Sequence, residues 1–215
     1  MLQALSLQPT AQHDFRQFLE ELYQGRSLQA FRAGHAIALP PQTIWVVVRG
    51  VVQLSTLYPN GDEALIGLAC GAMPFGLPLS LIQPYQAIAL SDVDLMQFSW
   101  GEVQQSAVLS QQMFHQLARR LRQTEAMLAM AGYRRVEDRL RQFLLLLQME
   151  VGQPVADGTR LSVRLTHQHL ASAIGTTRVT VTRLLGKLRD EGWLRWEDDR
   201  HLVVLHEQAG RKVCG

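Results

Sequence analysis

The chain has little of what builds metal and redox centres. Its 215 residues include two cysteines, Cys70 and Cys214, far apart and in no CxxC pair. A thiolate-held zinc or iron–sulfur site is therefore not expected, and a reducing, cytoplasmic setting suits the chain. Residues 40–98 hold no histidine, and Glu63 is their only glutamate, which excludes the His/Glu cluster of a metal-dependent β-barrel enzyme. His167 and His169 form an HxH pair, but two residues apart on a helix they point to different faces and do not share one metal. No Ser/His/Asp set and no Gly-rich phosphate loop stands out, so no enzyme is expected. No apolar run could span a bilayer: Phe143-Leu144-Leu145-Leu146-Leu147 is far too short. The N-terminus lacks the basic flank and apolar core of a signal peptide. Lysine is nearly absent as well, limited to Lys187 and Lys212. The positive charge is arginine, and with a formal net charge of only +2, any polyanion-binding surface must come from local clustering.

What is present divides into three textures. From about residue 26 to 98 the pattern is short strands and turns. Ile44-Trp45-Val46-Val47-Val48 and Val52 to Leu57 flank Gly50, Pro59-Asn60-Gly61-Asp62 is a turn, Ala64-Leu65-Ile66 resumes the strand, and Tyr85 to Phe98 reads as further strand. A small barrel or β-roll is expected. From about 101 to 152 the pattern is helical. Phe114, Leu117, Leu121, Thr124, Leu128 and Ala131 recur at spacings of three and four and form one narrow stripe. That stripe suits a seam between two subunits; packing on the chain's own β-domain is the alternative. A second helix is expected from about Val136 to Glu150, stopped by Gly152 and Pro154. From about 158 to 206 a short strand (Leu161 to Leu165) should lead into two helices and a two-stranded wing, Trp193–Trp196 and Leu202–Leu205, joined at Asp198-Asp199-Arg200.

The third texture carries the function. Leu170, Ile174, Val181, Leu184 and Leu185 are spaced to pack two helices together, with Gly175 at the turn. Thr166 and Thr177 stand where helix N-caps are needed. Between Gly158 and Arg189 there is no Asp or Glu, while Arg160, Arg164, Arg178, Arg183, Lys187 and Arg189 fall in or at the end of the stretch. Such a stretch implies a phosphate-binding surface. Arg178 and Arg183 lie about 140° apart around a helix, and both can reach one groove from its N-terminus. Arginine grips guanine O6 and N7 with two hydrogen bonds, worth roughly 1–3 kcal/mol of discrimination, and Val179 offers methyl contact to thymine. Thr177, Thr180, Thr182, His167, Gln168 and Lys187 complete the expected DNA-contacting set.

With these residues in hand, the chain resembles the CRP/FNR superfamily of bacterial transcription regulators, and within it the cyanobacterial nitrogen-regulator branch. The resemblance rests on Ala156-Asp157-Gly158, Ala173-Ile174-Gly175, the run Thr177 to Gly186, Arg120 with Gln123-Thr124-Glu125, and Phe75-Gly76 with Leu79-Ser80-Leu81. It implies an α+β protein with an N-terminal β-roll sensor domain (1–100), a long dimerisation helix (101–132) and a C-terminal winged helix-turn-helix (133–215). It further implies a homodimer on a palindromic duplex with half-sites like GTA and TAC, and RNA polymerase as a partner. Where Val179 stands, the cAMP-receptor branch has a glutamate.

The resemblance also implies an effector pocket in the roll, with Phe75, Gly76, Leu77, Arg120 and Glu125 as its residues. The anionic candidates fit it poorly. A cyclic-nucleotide pocket needs an arginine on the phosphate, and no arginine lies between Arg49 and Arg119, which speaks against cAMP. For 2-oxoglutarate, Arg120 is the one obvious carboxylate partner, because the second falls near Gln83 in a shortened loop. His35 and His115 carry no context of heme ligands. A constitutive family member, or one acting mainly through protein–protein contacts, is the alternative.

Overall fold

A computed structural model describes residues 26–206. They fall into two compact units, one reaching to Thr56 together with Gly67–Arg122, the other made of Leu57–Ile66 and the residues from Gln123 onward. This partition differs from the one expected at residues 100 and 132. The boundary falls inside a long helix, and the Leu57–Ile66 hairpin groups with the C-terminal unit.

In the first unit, strands β1 (Gln29–Phe31), β2 (Thr43–Arg49), β5 (Pro74–Phe75) and β7 (Val93–Ser99) form one sheet in the order β1-β7-β2-β5. Strands β3 (Val52–Leu57), β4 (Glu63–Ala69) and β6 (Gln86–Ala89) form another, in the order β4-β3-β6. This is the expected roll. The strand region read from Tyr85 to Phe98 is two strands, with the chain bending at Leu90 and Ser91 between β6 and β7. At the β3–β4 turn Gly61 has φ of 86°, as the Asn-Gly signal required.

Alternation along β2 and β7 sends Ile44, Val46, Met96 and Phe98 to one core. There they meet Ala72 and, from the following helices, Val103, Leu109 and Met113. Each large apolar side chain so buried contributes roughly 1.5–3 kcal/mol.

The helical region is broken where one helix was expected. Helix α1 (Trp100–Gln105) ends at Ser106, and α2 (Ala107–Ala131) starts afresh. The Ser106 hydroxyl accepts the Leu109 N–H at 3.2 Å, which caps the new helix. On α2 the face carrying Met113, Gln116, Gln123, Met127 and Met130 is buried. The sequence-read stripe lies elsewhere: Phe114, Leu121 and Leu128 are 68%, 60% and 75% exposed. Among the described residues, then, the stripe is not packed on the chain's own domain.

In the second unit, α3 (Val136–Val151) buries Leu140, Phe143, Leu144 and Leu147. Helix α4 (His167–Ile174) packs on α3 and on α5 (Arg178–Asp190). A four-stranded sheet, β8 (Gly152–Val155), β9 (Gly158–Leu161), β10 (Leu194–Trp196) and β11 (Leu202–Leu205), runs in the order β10-β11-β9-β8. One expectation is corrected here. The strand read at Leu161–Leu165 ends at Leu161, with Ser162 to Leu165 outside any strand. Gly152 ends α3 as expected, and with Pro154 it also belongs to β8, which the Ala156-Asp157 turn folds back onto β9. Proline is tolerated there because β8 is the edge of its sheet and has a side with no strand to donate to.

Candidate nucleic-acid interface

Local chemistry sets the angle between α4 and α5. Thr166 caps α4, its hydroxyl accepting the His169 N–H at 3.1 Å, while His169 Nδ1 accepts the Thr166 N–H at 3.4 Å. Burial holds the His169 imidazole below its ordinary pKa, with Glu63 opposing weakly, in keeping with a ring nitrogen that must stay unprotonated to accept. Gly175 ends α4 in the left-handed region with φ of 63°, a conformation open to glycine at little cost. Thr177 caps α5 by accepting the Thr180 N–H at 3.2 Å, and the two hydroxyls lie 3.0 Å apart.

A residue that sequence reasoning missed holds the turn from outside. Arg139 donates from Nε to the Ile174 carbonyl and from Nη1 to the Tyr133 carbonyl, both at 3.0 Å. One guanidinium thus satisfies the last carbonyl of α4 and a carbonyl of the segment leading into α3. Its only sequence signal is its place one turn before buried Phe143.

The N-termini of the helices differ in charge. Helix α3 carries Glu137 and Asp138 in its first turn, the ordinary answer to the positive end of a helix dipole. Helices α4 and α5 carry no acid there, and α5 opens on Arg178. A positive helix end with a cation added to it is poorly compensated until an anion arrives.

The expected basic stretch divides on inspection. Arg160 pairs with Glu197 at 2.7 Å and Asp199 at 2.9 Å, and Arg189 with Asp190 at 3.0 Å. Lys187, expected to touch DNA, gives its ammonium to Glu137 at 2.6 Å and Glu191 at 3.6 Å. The hydrogen bond to Glu137 raises the Lys187 pKa, and the same bond lowers that of Glu137. Lys187 thus meets any phosphate already paired: Glu191 stands one turn further along α5, and Glu137 reaches it only through folding. Arg164, Arg178 and Arg183 remain. All three are exposed, and among the described residues none has an ion-pair or hydrogen-bond partner for its side chain. Val179 lies between them in sequence, 78% exposed.

Thr182 is also reassigned. Its hydroxyl donates to the Arg178 carbonyl at 2.9 Å and lies 2.7 Å from His167 Nδ1. With its proton committed, Thr182 accepts from His167 and has nothing to donate to a phosphate oxygen. It positions the His167 ring, which donates from Nε2 to a phosphate only when both ring nitrogens carry a proton. Gln168 is exposed, with a weak 3.4 Å bond to Ser172, and at the helix start one of the Thr177 and Thr180 hydroxyls donates to the other, which leaves one hydroxyl proton free. The structure thus brings Thr177, Arg178, Val179, Thr180 and Arg183 together on α5, with His167 and Gln168 beside them on α4.

Of the expected effector residues, four lie in the first unit. Phe75 is fully buried and pairs with Trp45. Gly76 has φ of 148°, and a Cβ there would meet the Thr43 carbonyl oxygen at 2.4 Å. Leu77 lines a pocket of about 380 Å³. Arg120 donates to the Pro74 carbonyl at 3.2 Å. Glu125 is exposed on α2 and belongs to the second unit. Tyr85, unmarked in the sequence, lines the pocket and reaches Arg120.

A winged helix-turn-helix with a basic, acid-free edge at the start of its second helix defines a DNA-binding protein. Residues 138–209 match the Crp-like helix-turn-helix domain. The global nitrogen regulator of Nostoc sp. is 38% identical over 162 residues, spanning 71% of this chain and 72% of that protein. The global nitrogen regulator of Synechococcus elongatus is 35% identical over 194 residues, spanning 84% and 83%. A CRP-family transcriptional regulator from Thermus thermophilus shares the fold, with a TM-score of 0.71 at 21% identity over 83% of this chain and 92% of that one. The chain belongs to the CRP/FNR family of DNA-binding transcription regulators.

Proposed function

We propose that the chain acts as a cytoplasmic homodimer, a regulator and not an enzyme, that reads a palindromic duplex with α5. Two recognition helices about 34 Å apart would enter successive major-groove faces. The observation that carries this reading is the unpaired set Arg164, Arg178 and Arg183 around an acid-free helix start. In this reading Arg183 and Arg178 address guanine edges and Val179 a thymine methyl. His167, Gln168, Thr177, Thr180 and Arg164 hold phosphates. Half-sites of the GTA and TAC type and RNA polymerase as a partner come with the family resemblance.

The second copy is supported by the stripe on α2. Phe114, Leu121 and Leu128 follow one another at heptad spacing, each followed three residues on by Leu117, Thr124 or Ala131, and the three large side chains stand exposed. A water-soluble helix holds such a seam for a partner helix with the same seam.

A band-shift titration with a GTA-N8-TAC duplex and a scrambled control, at two salt concentrations, tests the reading. The palindrome should bind at least tenfold tighter, and both affinities should fall with salt. Equal affinity for the two duplexes ends the sequence-specific reading. A mass of one chain by light scattering ends the homodimer.

A further inference from the structure

The pocket in the roll is lined by Ala36, Ile37, Leu39, Leu77, Tyr85, Gln86, Ala87 and Ile88, with no charged side chain among them. The segment that supplies most of this lining is equally bare: from Ala64 to Ser91 the chain has no Asp, Glu, Lys, Arg or His. At about 380 Å³ the pocket suits a small ligand. A buried anion needs a cation or several hydrogen-bond donors around it, and this lining supplies no cation and only the Tyr85 and Gln86 side chains as side-chain donors.

The cation at hand is Arg120, and it is already engaged. Its Nη1 donates to the Pro74 carbonyl at 3.2 Å, and Nη1 and Nη2 both face the Tyr85 hydroxyl oxygen at 3.5 Å. The fork that would grip a carboxylate with two parallel N–H groups points both of them at one phenol. Tyr85 is only 8% exposed, so its ring fills volume as well as capping the guanidinium. The side-chain polar groups of the lining are themselves neutral, the Tyr85 hydroxyl and the Gln86 amide. Such groups are served by a neutral donor or acceptor and do not require a charge.

We propose that the roll pocket of this chain takes an uncharged ligand that pairs apolar surface with a neutral hydrogen-bonding group. In this arrangement the Tyr85 hydroxyl occupies the seat on Arg120 that an anionic ligand would need. The inference rests on the family reading only in treating the roll as the sensor end.

The test uses the full chain and two kinds of probe. An uncharged fluorophore, N-phenyl-1-naphthylamine, is titrated by fluorescence, and 2-oxoglutarate and cAMP by calorimetry. Wild type should take up the neutral probe saturably at one site per chain and give no heat with either anion. Leu77→Trp, which fills the pocket, should lower probe affinity at least tenfold. Tyr85→Ser, which clears the seat, should create 2-oxoglutarate heat that disappears again in Tyr85→Ser with Arg120→Met. Saturable heat from either anion into wild type, lost in Arg120→Met, overturns the proposal. Absence of probe uptake by wild type overturns it too, and that outcome needs no variant to fold. Duplex binding measured on the same samples keeps the two readings apart: DNA binding without probe uptake sinks only this inference.

Discussion

From Ala64 to Ser91 the roll carries no Asp, Glu, Lys, Arg or His, whereas from Thr159 to Leu188 the reading head carries five lysines and arginines and no acid. Both stretches lack acids, yet they teach different things. In the roll the absence of all charge marks a site for something neutral. In the reading head the absence of one sign marks a site for something of that sign. The cations also divide. In the roll Arg120 is answered from within by Pro74 and Tyr85. In the reading head Arg160 and Lys187 are answered by carboxylates, while Arg164, Arg178 and Arg183 are left for a partner.

The comparison can be broken or sharpened in order of effect. Leu121→Asp with Leu128→Asp places four carboxylates at the proposed seam. The dimer should dissociate, and duplex affinity should drop by about 100-fold or more as each chain is left with one half-site. Sedimentation at micromolar protein checks this, and an unchanged mass would refute the seam.

Arg183→Ala should narrow the gap between target and scrambled duplex by roughly 10- to 100-fold, the worth of a bidentate base contact. Arg164→Ala should weaken both duplexes alike and lower the salt slope by about 1. Uniform loss in both variants would remove the division into base and phosphate contacts.

Two glycines contrast the ends directly. Gly76→Ala forces a Cβ against the Thr43 carbonyl at 2.4 Å and should cost the roll about 1–3 kcal/mol in urea denaturation. Gly186→Ala, in α5 with nothing within 4 Å of the added carbon, should stabilise by about 0.5–1 kcal/mol. The same sign at both sites would mean that one of the two environments is wrongly described.

A smaller effect follows from His169. Its pKa is lowered in the folded chain, so on acidification the unfolded chain takes up a proton that the folded one refuses. Stability is full above the ordinary imidazole range, around pH 6.5, and is lost as pH falls through that range toward the folded pKa. Urea midpoints at pH 7.5 and 5.5 should therefore differ less in His169→Gln, whose side-chain oxygen can accept the Thr166 N–H at either pH. An identical pH dependence in the two proteins would assign the loss to other groups.

The reading head was legible because its determinants are local. Thr166, Gly175 and Thr177 act on residues within three or four positions of themselves, and the apolar spacing of α4 and α5 states their packing directly. The stripe on α2 was legible for the same reason. The β8–β9 hairpin was missed because Pro154 reads as a breaker, and only its place at a sheet edge makes it acceptable. The fate of Lys187 was hidden because Glu137 lies fifty residues away. The role of Arg139 was hidden because a helical arginine ordinarily faces water. In the roll, Tyr85 gave no signal, since its meaning depends on a helix that follows more than twenty residues later.

The exposed stripe Phe114, Leu121 and Leu128 has a consequence for dosage. A reading head that works only in pairs responds to the copy number of its own chain. While monomers predominate, the population of the paired form grows with the square of the total concentration, so a doubling of synthesis raises promoter occupancy about fourfold at low occupancy. The apolar seam would thus give the regulator a threshold set by expression alone, before any small molecule reaches the roll.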